Sequence, residues 1–272
     1  MKTKEILLIN DDGVHSPGLL ALKKKMEKLG KVVVVTPETE RSGTGKAVST
    51  CLIKVKKTML ADGTIVYAID GTPADACLLA LFKILKHPPS LVVSGINLGP
   101  NLGIDDLLTS GTLGAALEAA IHKIPAIAVS YSLERIRDCE GSRQEKIGLE
   151  NLERCAELTK QTAEHVLEHG MPEDVDLISI NVPEKLSSEM VEVTTLSYKG
   201  YADIFAKKAG GYKICEWVLK DYSHNEAGTD LHAVRENRHI SITPIKLNFT
   251  HRKQSLEELA RFLGKRGYKV RV

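Results

Sequence analysis

Apolar and polar positions change their period several times along the chain, and each change marks a switch between strand and helix. Residues 5–9 read as a strand whose apolar run Ile6-Leu7-Leu8-Ile9 is expected of burial on both faces. Residues 17–29 follow a helical period, with Ser16 as a cap, Pro17 at the first position and Gly30 at the end. Residues 31–35 return to a strand and complete a βαβ unit. The alternation recurs as helix 73–85 after Thr72, strand 91–93, helix 112–122, strand 126–130, helix 145–169 ended by Gly170, and strand 177–182 closed by Pro183. Such repetition predicts an α/β fold built on a doubly wound, mostly parallel, Rossmann-like sheet. Over residues 191–249 the pattern becomes β-like and Gly-rich, with Gly210-Gly211 as a hairpin tip, and Ser255-Leu256-Glu257-Glu258 then opens a terminal helix. The expected division is a Rossmann-like core at 1–187 and an appendage at 188–272, a β-hairpin and terminal helix that bury their apolar faces on a neighbouring subunit.

Composition narrows the classes of function. With 272 residues, 43% hydrophobic and 26% charged, the chain has ample material for a compact core. Lys and Arg number 37 against 35 Asp and Glu, a formal charge of +2, so neither a nucleic-acid polymer nor a membrane surface is expected as a partner. No signal-peptide pattern and no apolar run of spanning length appears, and the expected location is cytoplasmic. Cys51, Cys77, Cys139, Cys155 and Cys215 are odd in number and widely spaced, which reads as reduced thiols, with a Cys139–Cys155 bridge disfavoured.

Candidate chemistry collects where strands end. Asn10-Asp11-Asp12-Gly13 follows the first strand directly, at the carboxyl edge where open α/β sheets bind ligands. Adjacent carboxylates repel unless a cation lies near them, and hard oxygen donors suit Mg²⁺ or Mn²⁺. The plain alternative is a turn in which one Asp caps and the other is solvated. Arg41-Ser42-Gly43-Thr44-Gly45 lies in the loop after the second strand, where glycines let backbone N–H groups converge on an anion or a hydroxyl reach a metal. The stretch from Ser94 to Gly103 is rich in Gly and Asn, and within it Asn97 offers a neutral oxygen ligand. Ser110-Gly111-Thr112 enters an apolar helix, a natural phosphate cradle or simply a cap. No GxGxxG follows the first strand and no HExxH appears anywhere, which disfavours a dinucleotide fold and a zincin.

Taken together, these blocks resemble the SurE (survival protein E) family of metal-dependent nucleotidases over most of the chain. The similarity runs through residues 7–13, Ser16-Pro17-Gly18, Arg41-Ser42-Gly43, Gly71-Thr72-Pro73-Ala74-Asp75, Ser94-Gly95-Ile96-Asn97, Ser110-Gly111-Thr112, Thr229-Asp230 and Ser241-Ile242-Thr243-Pro244. The resemblance implies one divalent cation, Mg²⁺ or Mn²⁺, held by Asp11, Asp12, Ser42 and Asn97. It implies phosphate near Asn101, Ser110, Gly111 and Thr112. It further implies hydrolysis of nucleoside 5′- or 3′-monophosphates, with polyphosphate as a further substrate, and a homodimer or homotetramer. Asp11 and Asp12 are then the catalytic pair, with Asp11 nearest the chemistry as general base or nucleophile. Thr109 departs from the family pattern, which has an aromatic residue before Ser110, and Ala119 departs from a Gly after Glu118.

Two other classes compete. A receiver-like signalling module also has an acidic pair after its first strand, but it needs a Lys-Pro element after the last sheet strand, and residues 126–133 offer none. A non-catalytic nucleotide-binding protein differs from the enzyme in releasing no phosphate. A dehalogenase-like phosphatase requires DxD spacing, whereas Asp11 and Asp12 are contiguous.

Overall fold

A computed structural model describes residues 4–133, 148–214, 219–220, 226–249, 253–266, 269 and 271. The core is an α/β sandwich around a nine-stranded sheet. Strand β1 (Glu5–Ile9) lies near its middle, between β2 (Lys31–Pro37) and β5 (Leu91–Leu98), and is parallel to both. Beyond β2 come β4 (Ile65–Ile69), parallel, and β3 (Val55–Met59), an antiparallel edge. Beyond β5 come β6 (Ala126–Ser132) and β7 (Leu177–Pro183), both parallel. The chain therefore builds outward from β1 in one direction and then, from β5, in the other. That reversal places the topological switch point between β1 and β5, where their carboxyl ends diverge and a crevice opens.

The hydrophobic run of β1 feeds both layers, because successive strand side chains point to opposite faces. Ile6 and Leu8 join a cluster with Leu19, Leu22 and Met26 of α1 (Pro17–Met26) and Cys155, Ala163 and Val166 of α5 (Leu149–His169). Leu7 and Ile9 join the opposite cluster, with Cys77 of α2 (Pro73–Leu79) and Ala115, Ala116 and Ala119 of α4 (Gly111–Ile121). Among the described residues, no helix is long and apolar enough to cross a membrane.

Several sequence expectations take a more specific form. The strand expected at 91–93 continues to Leu98 across a bulge between Ser94 and Asn97, where Gly95 has φ +133°. A Cβ on Gly95 would stand 2.3 Å from the Val129 carbonyl oxygen, so Gly95 permits a close backbone contact inside the sheet. The helix expected at 73–85 is regular only to Leu79, and the wide turn Ala80–Ile84 ends it where Leu85 N–H reaches back five residues to the Ala80 carbonyl. Ser16 sits at the start of α1 as expected, yet its buried hydroxyl makes no capping bond. A seven-residue helix α3 (Gly103–Thr109) fills what reads as loop.

The C-terminal third contributes to the same sheet. Strand β13 (Ile240–Ile245) runs antiparallel to β7, and β8 (Val191–Val193) pairs with β13 as the far edge. Strands β10 (Phe205–Lys208) and β11 (Gly211–Ile214) form the expected hairpin around Gly210. Short strands β9 (Gly200–Tyr201) and β12 (Leu219–Lys220) pair with each other, followed by the turn α6 (Asp230–His232) and the helix α7 (Lys253–Lys265). Cys77 and Cys155 are free buried thiols, while Cys139, Trp217 and the pairing considered for Cys139 lie outside the described residues.

Helix α4 meets the loop after β2 at its closest point. A Cβ on Gly114 would lie 2.1 Å from the Gly45 carbonyl oxygen, closer than any packing tolerates. Gly114→Ala is therefore expected to destabilise the fold by about 1–3 kcal/mol through overpacking, despite the better helix propensity of Ala. Urea unfolding checks this, and an unchanged or raised midpoint overturns it.

Candidate active site

The crevice at the switch point is lined by the residues that directly follow β1. Asn10 is fully buried, with its side-chain N–H donating to the Gly13 carbonyl at 3.0 Å and its amide oxygen accepting from Thr36 at the end of β2. This lock fixes the turn in which Asp11 and Asp12 diverge. Asp12 is half-buried and accepts the Leu98 N–H at 3.1 Å, so it faces β5. Asp11 is buried and turns to the start of α4, where Thr112 donates its hydroxyl to one carboxylate oxygen.

Burial pushes the Asp11 carboxyl above its usual range, and the neighbouring Glu40 charge pushes the same way. Hydrogen bonds from the Thr112 hydroxyl and from the backbone of Asp11 and Thr112 oppose this. Gly111 leaves the necessary space, because a Cβ there would come within 2.9 Å of Asp11 Cβ and 3.0 Å of its second oxygen. The same Cβ would meet Pro73 at 3.1 Å. Pro73 opens α2 behind a capping box, with Thr72 accepting the Asp75 N–H at 3.1 Å and Asp75 accepting the Thr72 N–H at 2.8 Å. Asp75 also accepts the Ser49 hydroxyl at 2.6 Å and its N–H at 2.9 Å, and the block at 71–75 is thus a strut that braces the site from below.

The other expected site residues come from three loops at this edge. Arg41 N–H donates to the Asp11 carbonyl at 2.7 Å, bringing exposed Ser42 beside the acidic pair, where its hydroxyl donates to Glu40 at 2.6 Å. Asn97 lies just beyond the β5 bulge and gives its amide N–H to the Gly99 carbonyl at 2.9 Å, so oxygen is the atom it offers outward. Asn101 is buried and bracketed by the ends of β6 and β7. Its side chain donates to Ser130 at 2.8 Å, while its backbone exchanges bonds of 3.0 and 2.9 Å with the Asn181 amide.

Ser110 ends α3 and begins α4, with its side-chain oxygen accepting the Leu113 N–H at 3.2 Å. That cap uses a lone pair and leaves the hydroxyl proton to donate elsewhere. Thr112, expected beside phosphate, directs its hydroxyl to Asp11 instead, because the buried carboxylate needs a donor. The groups at this helix start that face no such demand are the Ser110 hydroxyl and the Gly111 N–H.

A hard divalent cation fits this donor set. Among the described residues no three His, Cys, Asp or Glu side chains gather as a metal group, so two carboxylates would act with the Ser42 hydroxyl and the Asn97 amide oxygen. All four donors are oxygens, the chemistry preferred by Mg²⁺ and Mn²⁺. Asp11 is moreover a buried carboxylate that receives hydroxyl and N–H donors but no Lys or Arg among the described residues. A cation is the partner that would restore its ionised form.

Sequence reasoning passed over three further residues of this edge. Asn181 is, with Ser179, one of two buried polar residues in the mostly apolar strand β7, which is itself a signal. Asp106 gave none and Tyr201 reads only as one of the appendage's aromatic residues, because the two meet through tertiary structure, with the Tyr201 hydroxyl donating to the Asp106 carboxylate.

The geometry defines a doubly wound α/β protein with carboxylate, amide and hydroxyl oxygens gathered at its switch point beside a helix start. The chain belongs to the SurE family, since the family model described as Survival protein SurE matches residues 6–203. A relative named 5′-nucleotidase SurE from Methanosarcina barkeri is 38% identical over 256 residues, covering 91% of this chain and 94% of that protein. Another of the same name, from Methanocaldococcus jannaschii, is 37% identical over 268 residues, covering 96% and 98%. Among solved structures, the crystal structure of a SurE protein from Aquifex aeolicus superposes with a TM-score of 0.71 at 32% identity, covering 96% of this chain and 99% of that one.

The Thr112–Asp11 contact makes a prediction independent of activity. Thr112→Val keeps the shape but removes the donor to a buried carboxylate, and should lower stability by about 1–3 kcal/mol. Denaturant melts in the absence of divalent cation test it, and equal midpoints would show that the contact is idle.

Proposed function

We propose that the protein is a 5′-nucleotidase, a phosphomonoesterase that hydrolyses nucleoside monophosphates to nucleoside and phosphate with the help of one divalent cation. One observation carries this reading: two carboxylates of opposite aim, Asp11 toward α4 and Asp12 toward β5, lie at the switch point beside the start of a helix. The names of its relatives support the same activity. The 3′-monophosphates and polyphosphate are the further substrates to examine, and Mg²⁺ and Mn²⁺ the cations.

In this reading Asp11, Asp12, Ser42 and Asn97 hold the cation, which when bound neutralises phosphate charge and lowers the pKa of a water. The chain's own groups do the rest. The Ser110 hydroxyl and the Gly111 N–H bind phosphate oxygens alike in substrate and transition state, aided by the positive end of α4. Asn101 closes the far side of the phosphate site. Asp11, through the oxygen that Gly111 leaves uncovered, either takes the proton of the attacking water or attacks phosphorus itself. Thr112 acts through Asp11 by fixing which carboxylate oxygen faces the substrate.

We further propose a cytoplasmic homo-oligomer, dimeric or tetrameric, joined through the 188–272 appendage. Its hairpin and terminal helix leave Phe205 56%, Tyr212 72% and Phe262 54% exposed, apolar surface that a second copy would cover. Light scattering at micromolar concentration is expected to show a multiple of the 29.8 kDa chain, and a monomer would count against it.

The activity is tested by a phosphate-release screen over nucleoside 5′- and 3′-monophosphates, sugar phosphates and polyphosphate. Chelator should abolish turnover and Mg²⁺ or Mn²⁺ should restore it. Asp11→Asn and Asp12→Asn should each abolish turnover while leaving the fold intact, because each removes a charged ligand without changing shape. Near-normal turnover in either variant at saturating metal removes that residue from the site.

A further inference from the structure

The phosphate cradle begins where α3 ends, and α3 has only seven residues. Isolated helices shorter than about 12–15 residues are marginal in water, so its position must come from what it is tied to. Both ends are tied to the C-terminal third of the chain. At its start the buried Asp230 carboxylate accepts the Gly103 N–H at 2.7 Å and the Ser197 N–H at 2.9 Å, and the Ser197 carbonyl accepts the Ile104 N–H at 2.8 Å. At its end Tyr201 donates its backbone N–H to Asp105 at 2.7 Å. The Tyr201 phenol lies between the Asp106 carboxylate and the Thr109 hydroxyl, 2.7 Å from the latter.

Each of these contacts is a short step from the cradle. Ser110 N–H donates to the Asp106 carbonyl at 2.9 Å, and the Thr109 carbonyl accepts the Gly45 N–H at 2.7 Å, in the loop that carries Ser42. We infer that Tyr201 is a positioning residue: by bridging Asp106 and Thr109 it fixes the end of α3, and hence the Ser110 hydroxyl and Gly111 N–H, for phosphate binding. This inference rests on the nucleotidase reading and deepens it, because it couples the C-terminal appendage to the affinity of the site for phosphate.

The hydrogen-bond arithmetic supports a bridge that survives a change of protonation. Thr109 also reaches the Asp105 carbonyl at 2.8 Å. With Asp106 protonated, the bonds run one way, from Asp106 to Tyr201, to Thr109, to the Asp105 carbonyl. With Asp106 ionised, Tyr201 donates to the carboxylate and Thr109 can turn to donate to the phenol oxygen. Burial pushes the Asp106 carboxyl up to about 6, with Asp230 and Asp105 pushing the same way against the Tyr201 and Leu102 hydrogen bonds, so both forms exist near neutral pH. An Asn at 106 can serve in either direction, since its amide both donates and accepts. A Phe at 201 can serve in neither.

Steady-state kinetics on a nucleoside 5′-monophosphate and inhibition by vanadate, on the full-length protein with saturating Mg²⁺, test the inference. Tyr201→Phe is expected to raise KM and the vanadate inhibition constant together by about tenfold with kcat within about threefold, the signature of lost uniform phosphate binding. Asp106→Asn should keep both constants within about threefold of wild type, the conservative rescue that a general loss of stability would not give. Thr109→Val removes the other end of the bridge without touching β9, and should reproduce Tyr201→Phe even if that variant folds poorly. Wild-type KM and vanadate inhibition in Tyr201→Phe or in Thr109→Val overturn the positioning role. A wild-type protein that neither releases phosphate nor is inhibited by vanadate overturns the nucleotidase reading itself, and the inference with it.

Discussion

Everything at this site follows from placing the Asp11 carboxylate out of water at the start of a helix. A buried carboxylate must be neutralised, hydrogen-bonded or paired, and the fold supplies the second of these through Thr112 and the backbone. The third would fall to a cation in the function proposed above, since the remaining donors are all oxygens. The nearby elements are shaped by the need to bring chain segments close around this one group. Gly111 lacks a side chain because Asp11 occupies that volume, and Gly114 lacks one because the Ser42 loop lies against α4. Ordinary helix propensity, which favours Ala over Gly at both positions, yields to that close approach.

The same constraint explains the bulge in β5. Strand and crevice share residues here, since Leu98 gives its N–H to Asp12 while still pairing with Tyr131 of β6. A regular strand would turn alternate side chains to opposite faces of the sheet and leave the ligand position to chance. The extra residue at the bulge changes the register between Ser94 and Asn97 without ending the strand. The doubly wound topology supplies the crevice.

Much of this was legible in the sequence because it depends on local signals. The run at residues 5–9, the glycines after strands and Ser110 before an apolar helix each carry their meaning within a few residues. The acidic pair was legible for the same reason. The bulge was not legible, because Gly95, Asn97 and Gly99 carry the same signal in a loop and in a bulged strand, and only the pairing with β6 separates them. Helix α3 was hidden because seven residues give too few periods to detect, and its stability comes from Asp230 and Tyr201, which are distant in sequence. Strand β3 was hidden because it is an exposed edge with little apolar content, so neither run nor alternation marks it. Long-range polar contacts leave no periodicity to read.

The separation between α3 and its tethers also sets an order of events during synthesis. Gly103 and Asp230 lie 127 residues apart, and β13, the inner neighbour of the edge strand, ends only at Ile245. The central strands can pair and bury Asp11 while the ribosome is still making the rest of the chain, since domains form progressively as their elements emerge. The start of α3 gains the Ser197 carbonyl first and the Asp230 carboxylate only once residue 230 has emerged. The contacts that hold α3 are thus among the last of the molecule to become available, although the helix itself lies in the first half of the chain.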